Sequence, residues 1–192
     1  MKTFEQVFNV NVLGALRVTK TFLPLISSDE KRNGRVIFMA SLVGKFGCPM
    51  MAPYCSSKWA ILGMAESLRY ELLPHGINVS CILPDLYRTK LVTDKKGLEK
   101  AMDYELKQAS DHSLKRYANE KGKAQMLTMI DNMEKFANPN LTPVINSILT
   151  SVTTKNPKKQ YYPISWKSSI FTGVANLFPK LLDNLVTASA VN

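Results

Sequence analysis

Two short apolar runs, Arg35-Val-Ile-Phe-Met-Ala-Ser41 and Ile77-Asn-Val-Ser-Cys-Ile-Leu83, most narrow what this chain can fold into. Both have the length and composition of buried strands, and the first suits a parallel strand covered on both faces. A segment of helical period precedes each. Over residues 3–25, Phe4, Phe8, Asn11, Ala15, Val18 and Phe22 recur at spacings of three and four, which predicts an amphipathic helix with that stripe inward. A second helix is predicted from about Pro53 to Leu73, with proline in its first turn and His75-Gly76 at its end. The polar stretch 27–34 and the Gly/Pro-containing stretch 44–53 are loops. Helix, strand, helix, strand with such connections predicts an α/β fold around a parallel sheet.

Beyond Pro84 the pattern changes. Residues 95–136 read as two helices, the second rich in methionine (Met126, Met129, Met133), and residues 142–154 as a helix packed back on the sheet. Gln160-Tyr-Tyr-Pro-Ile164 reads as a last strand. From Ser168 a tail places Ile170, Phe171, Val174, Leu177, Phe178, Leu181, Leu182 and Leu185 on one helical face, bent at Pro179. The chain divides into a sheet-building part, 1–92, and a part of lid helices, last strand and tail, 93–192, within one domain.

Composition excludes several classes. The 192 residues are 45% hydrophobic and 21% charged, as in ordinary globular proteins. No apolar run is long enough to cross a bilayer, and no signal core follows Met1. Three cysteines without a C-x-x-C pair and only two histidines argue for reduced thiols in an intracellular compartment and against a zinc site. The net charge of +10 is spread without a dense basic block, so no nucleic-acid partner is expected. The tail, with lysines and few acids, leaves peripheral contact with an anionic membrane open.

Tyr54-Cys-Ser-Ser-Lys58 puts a phenol and an ammonium side by side on one helix face, continued by Ile61, Ala65, Leu68 and Leu72. A nearby cation favours phenolate and is expected to lower the tyrosine's pKa, tuning it for general acid–base exchange with an alcohol or carbonyl oxygen. Spacing alone proves little, since Tyr117 and Lys121 share it on what reads as a helix surface. Context raises it. Ser41 closes a strand, at the sheet edge where α/β proteins bind ligands, though a loop-capping serine is common too. Asn11 occupies an apolar stripe, where a buried amide needs a partner; it holds a kink or water, or organises a proton relay toward Lys58. Pro84-Asp-Leu-Tyr-Arg-Thr89 closes the next strand at the same edge.

Together Asn11-Val-Leu-Gly14, Gly34 through Gly44, Tyr54-Cys-Ser-Ser-Lys58 and Ile82-Leu-Pro84 with Thr89 resemble the short-chain dehydrogenase/reductase family over about residues 4–92. Tyr-Cys-Ser-Ser-Lys, Leu-Arg-Tyr-Glu-Leu and Tyr-Arg-Thr bring the chain nearest its retinol, hydroxysteroid and 3-hydroxybutyrate dehydrogenases. The resemblance implies a partial doubly wound, Rossmann-like parallel sheet without its N-terminal strands, extended by helices at the C-terminus. It implies an NAD or NADP cofactor and a small alcohol or ketone substrate, lipid-like if the methionine-rich helices form an apolar lid. Tyr54 would be the acid/base, Ser41 would polarise the substrate oxygen, Lys58 would tune Tyr54 and bind the nicotinamide ribose, and Asn11 would complete the relay. Pro84, Asp85, Leu86 and Thr89 would border the nicotinamide. A homodimer through helices 3–25 and 53–73, and a cytoplasmic, endoplasmic-reticulum or mitochondrial membrane-associated location, follow from the same resemblance.

Two departures stand out. Asp85 occupies a position that is usually glycine in the family, where its charge is expected to crowd the nicotinamide. No G-x-G-x-x-G or related turn, which would seat a pyrophosphate on a helix N-terminus, occurs in the sequence. Met1 falls inside an expected helix, which suggests a truncated chain. The competing reading is a non-catalytic fragment that binds a partner through its helices; a third is a membrane-surface module working through the tail.

Overall fold

The computed structural model describes residues 2–27, 33–48, 51–94 and 120–165, a few positions between 96 and 104, and Ser168. In chain order these form α1 (Lys2–Phe8), a π-helical segment (Asn9–Gly14), α2 (Ala15–Ser27), β1 (Gly34–Met39), a 3-10 turn (Leu42–Gly44), α3 (Ala52–Leu72), a second 3-10 turn (Leu73–His75), β2 (Ile77–Ile82), α4 (Lys90–Thr93), α5 (Glu120–Phe136), α6 (Thr142–Thr153) and β3 (Gln160–Tyr161). Most of the first helix expected in 95–136, Tyr117, and the amphipathic face from Ile170 onward lie outside the described residues. The chain forms two compact units, Met1–Asp85 with Thr142–Asn192, and Leu86–Leu141.

In the first unit, β1 and β2 pair in parallel from Gly34 opposite Ile77 to Met39 opposite Ile82. β2 pairs in parallel with β3 at Cys81–Gln160 and Ile82–Tyr161, giving the order β1-β2-β3. Val36 and Phe38 of β1 with Ala40 just past it, and Val79 and Cys81 of β2 with Leu83 just past it, form one core with Ile61, Leu62, Ala65 and Leu72 of α3. Ala15, Leu23 and Ile26 of α2 pack against it. Ile61, Ile77, Ile82 and Leu83 are all but sealed from solvent. β2 is buried nearly throughout, but β1 alternates, with Ile37 half-buried and Met39 exposed. The expectation that β1 is covered on both faces therefore holds for one face only. On the other face, Arg35 donates to the carbonyls of Thr154 and Lys155 just past α6, capping acceptors that the helix leaves open.

The first helix departs from a regular α period. Ala15 packs against the core, as the spacing predicts, but Val18 and Phe22 are more than half exposed and Thr19, Leu23 and Ile26 face inward instead. A π-helical segment, Asn9–Gly14, interrupts the α period just before these positions. Gly76 ends the second 3-10 turn at φ 73°, a left-handed conformation that suits glycine, and its N–H bonds to the Leu73 carbonyl.

Within the second unit, Tyr87 bridges to Asn138, and the Arg88 and Asn138 N–H groups bond to the Asn138 and Leu86 carbonyls. Among its described residues Tyr87, Val92, Ile130 and Ala137 are buried. Among the described residues no helix is long and apolar enough to cross a membrane, and no three His, Cys, Asp or Glu residues cluster as metal ligands.

Candidate active site

The β1–β2 ladder continues past the strands, with Ala40 N–H bonded to the Ile82 carbonyl and Leu42 N–H to the Pro84 carbonyl at 2.8 Å. Those bonds carry Ser41 and Asp85 out together at the carboxyl ends of the strands. Ser41 is extended (φ −166°, ψ 159°) and leads into the 3-10 turn. That turn lies hard against α3: a side chain at Gly44 would come within 3.0 Å of the Lys58 carbonyl and Leu62. Tyr54 enters from the other side, in the first turn of α3 just after Pro53.

The Ser41 side chain lies at the Tyr54 hydroxyl, near enough to draw its pKa down. Lys58 sits one turn further along, its Nζ 5.5 Å from the centre of the Tyr54 ring and donating to the Met39 carbonyl at 3.0 Å. The ammonium thus takes up the carbonyl of the last residue of β1. The electrostatics differ from expectation. Burial raises the Tyr54 pKa above 10.0, the Ser41 side chain pulls it back in part, and the neighbouring Cys55 adds to the rise. Burial also lowers the Lys58 pKa. Desolvation therefore outweighs any benefit from the cation, and Tyr54 is held as a neutral phenol, a proton donor, at ordinary pH.

Asn11 lies in the π-helical segment. Its Nδ2 donates to Ser57 Oγ at 2.9 Å, and Ser57, fully buried, donates in turn to the Tyr54 carbonyl at 2.7 Å. The amide nitrogen is thus engaged by the residue preceding Lys58. Sequence reasoning missed Ser57; its signal was a hydroxyl on the inward side of a helix whose other inward positions are apolar. Asp85 is turned toward the segment after β3, where its Oδ2 accepts from Ser165 N–H at 2.9 Å and from Ser168 Oγ at 2.8 Å. Its Oδ1 is buried without a partner among the described residues. Ser165 and Ser168 carried no sequence signal, because only the fold brings them to Asp85. Leu86 and Thr89 belong to the second unit, where Thr89 N–H bonds to the Tyr87 carbonyl and Thr89 precedes α4.

The comparisons with known proteins agree in direction. A family model described as short chain dehydrogenase matches residues 1–99. The mitochondrial D-beta-hydroxybutyrate dehydrogenase of Rattus norvegicus is 30% identical over 195 aligned residues, 97% of this chain and 53% of that protein. The 11-beta-hydroxysteroid dehydrogenase type 2 of Ovis aries is 32% identical over 168, 84% of this chain and 37% of that one. The chain thus spans about half the length of the first relative and less of the second. A short-chain dehydrogenase from Burkholderia cenocepacia J2315, solved with NADP, superposes with a TM-score of 0.62 at 18% identity over 92% of this chain and 56% of that one. One from Burkholderia phymatum, solved with NAD, gives 0.63 at 15% over 91% and 58%. These two likenesses establish a shared Rossmann-like α/β fold. With the family model covering half of the chain and the fold in common, this chain belongs to the short-chain dehydrogenase family.

Proposed function

We propose that this chain carries the proton-transfer site of a nicotinamide-dependent oxidoreductase that interconverts an alcohol and its carbonyl. The observation behind this is the meeting of Tyr54 with Ser41 at the strands' carboxyl ends, with the Lys58 ammonium beside the ring and bonded to the Met39 carbonyl. A carbonyl oxygen seated between the two hydroxyls accepts a hydrogen bond from each. Tyr54 gives its proton to that oxygen in reduction and takes one back in oxidation, while Ser41 steadies the charge that develops. Asn11 and Lys58 are the remaining members of the group, Asn11 through Ser57.

The residues present fit the ribose side of NAD or NADP. Tyr54 and Lys58 supply two donors of the kind a ribose diol accepts, and Asp85 turns its charge toward Ser165 and Ser168. A bound nicotinamide supplies or receives the hydride. In this reading Pro84 borders that ring. The substrate is a small hydroxylated compound of hydroxy-acid, steroid or retinoid type, of which the names of the relatives support the first two. A second copy docks through α1–α2 and α3, where Val10, Val18, Phe22 and Trp59 are exposed apolar side chains.

The test is a titration of the 192-residue chain with NADH and NADPH, followed by nicotinamide fluorescence, beside Tyr54→Phe and Lys58→Ala. Saturable binding that weakens in Lys58→Ala supports the reading. No binding at millimolar dinucleotide removes it for this chain and leaves the partner-binding alternative.

A further inference from the structure

We propose that Ser57 is a positioning residue, which sets Asn11 and Tyr54 at once through a single buried hydroxyl; this rests on Tyr54 being the proton donor. Ser57 is 0% exposed, three residues after Tyr54 and one before Lys58. Its hydroxyl has one proton to give, and gives it to the Tyr54 carbonyl, a pure acceptor. It can therefore only accept from Asn11, which fixes the amide with Nδ2 toward α3. The Tyr54 backbone carbonyl and the Asn11 amide thus meet at the same oxygen.

The π-helical segment gives this bond its weight. A π turn is a poor helix, and such segments persist where tertiary contacts hold them. Asn9, in the same segment, is held by Arg17 of its own helical run. Asn11 is the residue that ties the segment to α3 by a side-chain hydrogen bond among those described. Without the Ser57 hydroxyl, Asn11 loses its acceptor and the first turn of α3 loses a strut. Tyr54 then drifts from Ser41, the one neighbour that draws its titration down. Cys55 and Lys58, the other titratable groups placed at the phenol, ride on the same helix as Tyr54 and move with it.

The experiment compares the full chain with Ser57→Ala, Asn11→Ala and the double variant. Tyrosine labelled at the phenol carbon is titrated by NMR, with Tyr54 assigned from Tyr54→Phe, and thermal unfolding is recorded alongside. The proposal expects the Tyr54 titration to move further up in each single variant, and no further in the double than in Ser57→Ala, because Ser57→Ala already removes the one bond that Asn11→Ala removes. With cofactor and a ketone substrate, kcat falls between about twofold and tenfold at unchanged KM, the worth of one hydrogen bond. A Ser57→Ala chain that melts earlier yet titrates at Tyr54 as the parent does shows a merely structural serine and overturns the proposal. Additive shifts in the double variant overturn it too. Should Ser57→Ala fail to fold, Asn11→Ala breaks the same bond from the other side and decides. A parent chain without turnover counts against the proposed function, while the titration still judges Ser57.

Discussion

Tyr54 shows what a residue's surroundings do that its neighbours in sequence do not announce. The Tyr-x-x-x-Lys spacing with Ser41 pointed to these three residues, and the structure sets them in one unit at the strand ends. The direction of the pKa shift was not legible, because desolvation depends on what the rest of the fold places around the ring. Turnover in the reducing direction is expected to stay level through neutral pH and fall only above about pH 10, as the phenol ionises. Tyr54→Phe should lower it by about 10²–10⁴-fold, read from initial rates. The neutral phenol is favoured in the folded state, so its contribution to stability is present below the unfolded pKa and lost as pH rises through the folded one. Cys48 behaves similarly: burial and the adjacent Cys55 push its thiol up to about 11. Its alkylation by iodoacetamide should be very slow at pH 7 and rise about tenfold per pH unit. Mass spectrometry of the intact chain, with Cys48→Ser as control, measures this.

Among the elements, those set by local pattern were legible and the one set by tertiary contact was not. The second predicted helix, 53–73, is α3 at Ala52–Leu72, and the strand at 77–83 is β2 at Ile77–Ile82. Proline at the start, glycine at the end and an apolar run are local signals. The π-helical segment has no such signal: a stripe read at spacings of three and four cannot show an extra residue that Asn11 and Ser57 hold in place across two helices. The left-handed glycine after the second 3-10 turn is locally written and testable. Gly76→Ala should cost about 1–2 kcal/mol in chemical denaturation without changing the fold.

At the scale of the whole molecule, the α/β class and the family were legible from four separated motifs, whereas the division into units was not, because contacts and not sequence order define it. The exposed apolar side chains on α1, α2 and α3 lead to an expectation about assembly. Sedimentation of the parent chain should show a dimer that Phe22→Glu or Trp59→Glu dissociates, both positions being about half exposed. A monomeric parent, or a dimer indifferent to both changes, would send the search for the contact elsewhere.

Asp85 sets a boundary on how short this polypeptide can be made. Among the described residues its carboxylate is bonded through one oxygen, and the donors to that oxygen, Ser165 and Ser168, come after β3. A chain ending at Ile164 retains β1 to β3 yet takes both of those donors from a half-buried acidic side chain. The penalty is about 1–3 kcal/mol for a lost donor, more for an ion. Such a chain should melt earlier than the parent, and Asp85→Gly in the shortened chain should recover most of the loss. The last few residues before the tail are thus a folding requirement imposed by one acidic side chain, and any minimal version of this domain must either keep them or lose that charge.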